Sequence, residues 1–354
     1  MGCIWNGRYW ATDRNAVAED QFIRRLLVRL DSFLSRGRNT AMKTVMKTIL
    51  ISLSLFVLQM ASTSSSFAAT CSCAGVPLLS AMDTSSTQPG DLYLNYSTEI
   101  HEMSDLVQGS DEIRDETGLS RSSVSQVISA SYGLADKWTV SGLISYIEHE
   151  RSVGISAFSK NSSSGLGDGV LLLRYTPFYI TPFSRHELSF GAGARLPIGK
   201  DDDGGLFTLS EDMQPSSGSV GEIYWSSYSY AFNQAATVQF NVSANYTIND
   251  DENSRKYVFG DEINFALGIS QNIGSKFAYS AGLRYRQTTA DERNSFEIPN
   301  TGGKWLDFVP GVQYIFNDKL SVGVSGRVPL VRDLDGVLQF TTSYSYAVNL
   351  SYAF

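Results

Sequence analysis

Cysteine, histidine and long apolar runs are all scarce in this chain, and each shortage closes off a class of function. The cysteines are Cys3, Cys71 and Cys73. Cys71 and Cys73 have no further thiolate or imidazole nearby, so they do not make a zinc site. In an oxidising compartment they predict a disulfide or a redox-labile tail. The histidines are His101, His149 and His186. None stands with a nucleophilic serine and an orienting amide at a spacing that would build a hydrolase. His149, between Glu148 and Glu150, reads as a solvated loop end, and the chain is read as a non-enzyme. No run of eighteen apolar residues occurs after residue 69, which excludes a membrane-spanning helix there.

Two glycine-rich stretches also fall short of the motifs they suggest. Gly165-Leu166-Gly167-Asp168-Gly169 lacks the spacing of a nucleotide loop and precedes a strand, so a tight loop-to-strand bend is expected. Asp201-Asp202-Asp203-Gly204-Gly205 begins like a calcium loop, but Leu206 stands where a glycine is required and Asp212 where a bidentate glutamate belongs. Neither a cofactor nor a metal is expected.

What the chain does have begins with an export signal. Lys43 and Lys47 precede an apolar stretch from Ile49 to Leu58, and Ser66-Phe67-Ala68 supplies small residues for cleavage. That apolar stretch is about half the roughly twenty residues a spanning helix needs. Residues 42–69 are therefore read as a signal peptide, and residues 1–41 as a misassigned start or a leader extension. Residues 70–90 then form a periplasmic tail carrying the Cys-x-Cys pair, and 91–354 the folded domain. The whole chain has 28 Lys and Arg against 36 Asp and Glu. Removing residues 1–69 leaves 19 basic and 32 acidic residues, a net of −13. Phosphate binding wants a basic face, so nucleic acid is not an expected partner.

Alternation dominates the rest. From Phe340 to Phe354 the even positions are apolar or aromatic except Thr342, while the odd positions are small or polar. A strict period of two makes a strand with one oily and one wet face. The same pattern recurs at Leu92-Leu94-Tyr96, at Val238-Phe240-Val242-Ala244-Tyr246, at Phe277-Tyr279-Ala281-Leu283-Tyr285 and elsewhere, giving twelve strands. Short connections with turn chemistry alternate with long ones, including 102–121, 198–219 and 331–336. Such a chain resembles a single-chain outer-membrane barrel, all-β, antiparallel and up-and-down, with short turns in the periplasm and long loops outside. Its terminal Leu350, Tyr352 and Phe354 resemble the aromatic signal that the outer-membrane assembly machinery reads. Lipid and lipopolysaccharide are the surroundings this implies, in a Gram-negative outer membrane.

With the apolar faces outward, the lumen receives Arg174, Glu187, Arg195, Glu262, Arg284, Arg286, Asp307 and Arg327, along with Glu99, His101, Asn241, Asn245 and Asn264. These side chains make either a polar passage that touches a solute or a plug of salt bridges. Arg284 and Arg286, neighbours on one inward row, are best placed to meet an anionic group.

The run Gly165-Leu-Gly-Asp-Gly-Val-Leu-Leu-Leu-Arg-Tyr175 resembles a segment of the meta-pathway phenol-degradation family of outer-membrane proteins. Leu196-Pro197-Ile198-Gly199 and Phe259-Gly260-Asp261 are similar to it as well. The resemblance implies a barrel that helps small hydrophobic or aromatic molecules cross the outer membrane, and it brings no functional residues to carry over. The resulting expectation is a passive channel or transporter for such solutes. A structural or surface-interaction barrel with a plugged lumen is the alternative, and an outer-membrane enzyme the third.

Overall fold

The computed structural model describes residues 88–354 except 116–117, 154–159, 182 and 203–208. The expected leader segments, the Cys71 and Cys73 pair and most of the expected tail lie outside the described residues.

Each strand forms because alternate side chains have two different solvents to satisfy. In β2 (Leu119–Ala135) Val127 is fully buried while its neighbour Ile128 is 53 % exposed, so the period of two separates an interior from a hydrocarbon-facing surface. The strands that follow are β3 (Trp138–Val153), β4 (Gly169–Phe178), β5 (His186–Leu196), β6 (Gly221–Ala231), β7 (Val238–Ile248), β8 (Glu262–Ile273), β9 (Phe277–Thr288) and β10 (Gly303–Ile315). Each pairs antiparallel with the one before it, and β1 (Leu92–Gly109) pairs with β2.

The final strand, β11 (Leu320–Ala353), is an unbroken run of 34 residues. Fully extended it would reach about 110 Å, several times the thickness of a bilayer. It folds back instead. Ser321 to Leu334 pair with β10, whereas Leu334 to Ala353 pair with β1. The two limbs meet where the Ala353 amide donates to the Lys319 carbonyl at 2.8 Å. The turn lies at Gly336, whose φ of +87° suits a residue without a Cβ. Ten strands and two limbs make twelve staves, as the alternation predicts. The long outer connection expected at 331–336 is instead a tight hairpin. Arg332 and Asp333 continue the ladder opposite Trp305 and Lys304 rather than leaving it.

Closure runs from Tyr93 opposite Ala353 to Leu106 opposite Phe340, and the Phe354 amide donates to the Leu92 carbonyl at 2.9 Å. The long connection expected at 102–121 is also mostly ladder, since β1 runs to Gly109 and β2 starts at Leu119, and the fourth stave carries a further departure. Lys160–Leu166 and β4 both pair with β3, Leu166 opposite Tyr146 and Val170 opposite Leu143. Four steps on one side thus oppose three on the other. Gly167-Asp168 is therefore a β-bulge inside a stave, not a bend from loop into strand.

Aromatic side chains gather at the short-turn end. Trp138–Tyr175, Tyr230–Phe232, Phe277–Tyr314 and Tyr352–Phe354 are ring contacts with centroids 4.7 to 5.3 Å apart. Rings of this kind suit the membrane interface, where one edge is apolar and the other wet.

Close packing of the wall gives a direct check. A Cβ at Gly193 would lie 2.1 Å from the Leu171 carbonyl oxygen, whereas one at Gly142 would meet nothing closer than 3.6 Å. Gly193→Val is expected to lower the refolded, heat-modifiable fraction on gels, through an overpacking cost of about 1–3 kcal/mol. Gly142→Ala should refold like the parent.

Candidate functional site: a lumen stoppered at the outer end

All eight charged residues expected in the lumen lie on inward-facing positions of the wall. Arg174, Arg195, Arg284 and Asp307 are buried, and Glu187, Glu262, Arg286 and Arg327 partly so. The structure gathers the last four strands' share of them, with Glu99 and His101 from β1, into a charged half-ring along one side of the lumen. Arg286 Nη2 lies 2.7 Å from Glu262 Oε2, and Arg284 Nη2 donates to Asn264 Oδ1 at 2.6 Å. Arg284 and Asp307 stand opposite each other on β9 and β10. Arg327 Nε reaches Asp307 Oδ2 at 4.0 Å, and His101 Nε2 lies 3.4 Å from Glu99 Oε2. The Arg286 guanidinium lies over the Trp305 ring, 4.9 Å from ring centroid to Cζ.

Below the ring, towards the short turns, is a cavity of about 360 Å³. Asn95, Ser97, Gln313, Ser325, Ser345 and Asn349 line it, and Glu99, His101 and Arg327 form its roof.

The other side of the lumen is packed with apolar side chains. Val127, Leu143, Ile147, Val170, Leu172, Ile223 and Trp225 form an apolar cluster inside the barrel. Arg174, Gly191 and Trp225 share one rung, and with no side chain at Gly191 the Arg174 guanidinium reaches to 5.7 Å from the Trp225 ring. Glu187 sits on the same inward row of β5, and Arg195 stands at its outer end.

Arg195 marks where the outer end closes. Residues 211–219, after β5, lie inside the barrel, where a short 3₁₀ turn, Glu211–Met213, is buried with Gln214, Ser216, Ser217 and Ser219. Asp212 accepts from Arg121 Nη1 at 3.0 Å and lies 3.6 Å from Arg151. The bulge turns the Asp168 carboxylate inward, where it is almost fully buried. Its Oδ1 accepts from Ser216 Oγ at 2.5 Å and from the Ser217 amide at 3.1 Å. Arg195 Nε completes this latch, 3.3 Å from Asp168 Oδ2. Glu211 pairs with Arg255 and Arg293 of the neighbouring outer loops, and Asn253 donates to the Ser217 carbonyl at 3.3 Å. The stopper is therefore anchored to the wall and to two other loops.

His149 is a correction to the sequence reading. It is fully buried beneath the stopper rather than solvated, and its Nδ1 lies 2.7 Å from Ser123 Oγ. Sequence reasoning also missed Asp168, Arg121 and Asp212 as functional residues. The one available signal was an aspartate set between glycines at 167 and 169, where a solvated loop needs no such spacing.

A family model described as "Putative MetA-pathway of phenol degradation" matches residues 147–330, more than half of the sequence. The chain belongs to this family. The matched stretch holds the Asp168 latch, the stopper and most of the charged ring, and leaves out β1 and the closing limb. In fold the barrel is similar to an outer membrane channel from Pseudomonas putida F1. The TM-score is 0.62 at 10% identity, over 77% of this chain and 98% of that one. A "47 kDa outer membrane protein" of Pasteurella multocida (strain Pm70) is 29% identical over 109 residues, which is 28% of this chain and 24% of the relative. The chain thus spans about a quarter of the length of that curated relative. Family and fold together make this an outer-membrane β-barrel.

Two carboxylates in the outer loops respond to acid in opposite senses. Burial pushes the Asp291 carboxyl up to about 6, against hydrogen bonds donated by Tyr257 Oη (2.5 Å) and the Gly260 amide (2.7 Å). Burial also opposes ionisation of Asp212, but Arg121, the Ser210 hydroxyl and Arg151 outweigh it and hold that carboxyl below its ordinary value. A raised folded value means that Asp291 contributes most below its unfolded value of 3.8, and that the contribution is lost as pH rises through about 6. The contribution of Asp212 is present above 3.8 and lost only as pH falls below it. Amide protection factors around residues 257–260 and 291 are therefore expected to fall between pH 4.5 and 7. Those of 211–217 should hold steady, and Asp291→Asn should flatten the first trend.

Proposed function

We propose that this protein is a passive outer-membrane channel or transporter for small solutes, with the in-folded loop as its stopper. The observation that carries the reading is the cavity under the charged ring. A barrel that served only as a scaffold would gain nothing from a lower lumen that the described residues leave open and line with hydroxyls and amides beside Tyr93 and Val309. A solute of hydrophobic or aromatic character is supported by the pathway in the family's description and by Tyr93 and Val309 on the cavity wall. The residues that would touch it are Arg327 at the cavity roof and Arg284 and Arg286 beside it.

One observation favours the alternative of a plugged barrel that works through its outer loops. The stopper is tied by buried ion pairs at Asp168 and Asp212, and in a water-poor interior such pairs are costly to break one partner at a time. A catalytic reading finds less support. The Ser123 and His149 pair is sealed from solvent on the lumen wall, and the Glu99 and His101 pair at the cavity roof holds no serine hydroxyl.

Planar-bilayer conductance of the refolded chain starting at Thr70 separates the two leading readings. The parent is expected to show brief, small steps. Asp168→Asn, which leaves Arg195 without its carboxylate and weakens the hold on Ser216 and Ser217, should raise the open fraction about tenfold or more. This corresponds to the ~1.4 kcal/mol or greater cost of disrupting a buried charged contact. Arg284→Ala with Arg286→Ala should change step size rather than open fraction. Silence from all three folded proteins would leave the plugged barrel as the better account.

A further inference from the structure

The accessible part of the lumen differs in chemistry from its sealed part. Every apolar group of the Trp225 cluster is packed away, whereas the cavity offers serine hydroxyls and side-chain amides from Asn95, Gln313 and Asn349. A hydrocarbon entering this space would touch Tyr93, Ala278, Val309 and Ala347, but it would strip water from the hydroxyls and amides and leave them without partners. A solute bearing hydroxyl or amide groups would exchange one set of hydrogen bonds for another at little net cost.

The roof adds a second constraint. Glu99, Asp307 and Glu262 supply three negative charges, and Arg327, Arg284 and Arg286 supply three positive ones. They alternate from β1 across β11, β10 and β9 to β8, with His101 beside Glu99. Equal and opposite charges this close leave little net field along the lumen. An ion at the ring would shed its hydration without meeting a field of either sign to offset the loss.

We propose that this balanced ring is the selectivity filter of the lower lumen. It passes small uncharged solutes that carry hydroxyl or amide groups and turns back monovalent ions of both signs. The inference rests on the channel reading and narrows its solute class, since a hydroxylated aromatic molecule meets both requirements and a bare hydrocarbon meets only one. Arg327 and Asp307 are the residues that set the balance at the cavity. Their contact is the longest of the ring's ion pairs, and Arg327 is the one arginine of the three that reaches the cavity wall.

The test uses proteoliposomes and multichannel membranes containing the full mature chain, in the parent and in the unlatched Asp168→Asn background. Xylitol and arabinose serve as neutral probes, and a potassium chloride gradient as the ionic one. Sugar-driven swelling with weak potassium chloride conductance and a reversal potential near zero is expected. Arg327→Gln leaves the ring one charge negative and should move the reversal potential towards cation preference. Asp307→Asn should move it equally towards anion preference, and the double variant should return it to the parent's value. Folding of each variant is checked by heat-modifiable mobility. If either single variant does not fold, Arg286→Gln and Glu262→Gln repeat the comparison on the far side of the ring.

Reversal potentials that stay put, or that shift alike in both single variants, would overturn the filter. So would strong potassium chloride conductance alongside sugar entry, although the channel reading would then survive. Passage of no probe in either background would overturn both.

Discussion

In hydrocarbon an unpaired backbone N–H or C=O has no water to turn to, and each one left open costs several kcal/mol. The consequences of that penalty can be followed residue by residue through this barrel. It forces β1 against the returning limb of β11, so that the first and last described strands share a ladder from Tyr93–Ala353 to Leu106–Phe340. It also explains why the one surplus residue in the fourth stave is absorbed as a bulge rather than as a break. At Gly167 the amide still finds the Ser145 carbonyl, 2.8 Å away. The 34-residue final strand keeps its ladder on both sides while reversing direction, so the reversal adds a stave without opening an edge.

Closure at twelve staves then fixes what the interior can hold. A barrel of this size is wider than one that its side chains fill and narrower than an open porin. Long side chains on facing strands can meet across part of the lumen but not all of it. Here the arginines do the meeting. Arg174 crosses over Gly191 to Trp225, Arg286 spans from Glu262 to the face of Trp305, and Arg121 and Arg195 hold a loop that has come in from outside. The half of the lumen where apolar residues face inward has collapsed onto itself. The half lined with serine, asparagine and glycine has not, and it remains the cavity.

This division explains which parts could be read from the sequence. Strand count, closure and the identity of the inward charges all follow from a period of two, since one register decides every side chain of a strand at once. Val170-Leu171-Leu172-Leu173 was the weak point. It is apolar on both faces because one face meets lipid and the other the buried cluster, so alternation could not say that part of the lumen is dry. The hairpin at Gly336 was hidden by Arg332, Asp333 and Asp335, which look like a solvated loop yet continue the ladder. The stopper was illegible for a different reason. Its burial depends on where a non-periodic loop lands, and that is decided by Asp168 and Arg121, some 50 and 90 residues away in sequence. His149 could not be placed for the same reason, since it is covered by that loop.

The segments that carry the family resemblance converge in space although they are scattered along the chain. Asp168, from the Gly-Leu-Gly-Asp segment, is bound by Arg195, whose guanidinium lies 6.0 Å from the ring of Phe259 in the Phe-Gly-Asp segment. Gly199, from the Leu-Pro-Ile-Gly segment, packs so closely on the Leu166 carbonyl that a Cβ there would sit 1.7 Å from its oxygen. All three segments thus build the seat on which the stopper rests, at the outer end of the barrel. None of them contributes to the ring or to the cavity below it. In this chain the segments behind the resemblance close the outer mouth, while the cavity below is lined by residues on β1 and β8 to β11 that those short motifs do not include. For this chain selectivity has to be read from the lumen itself.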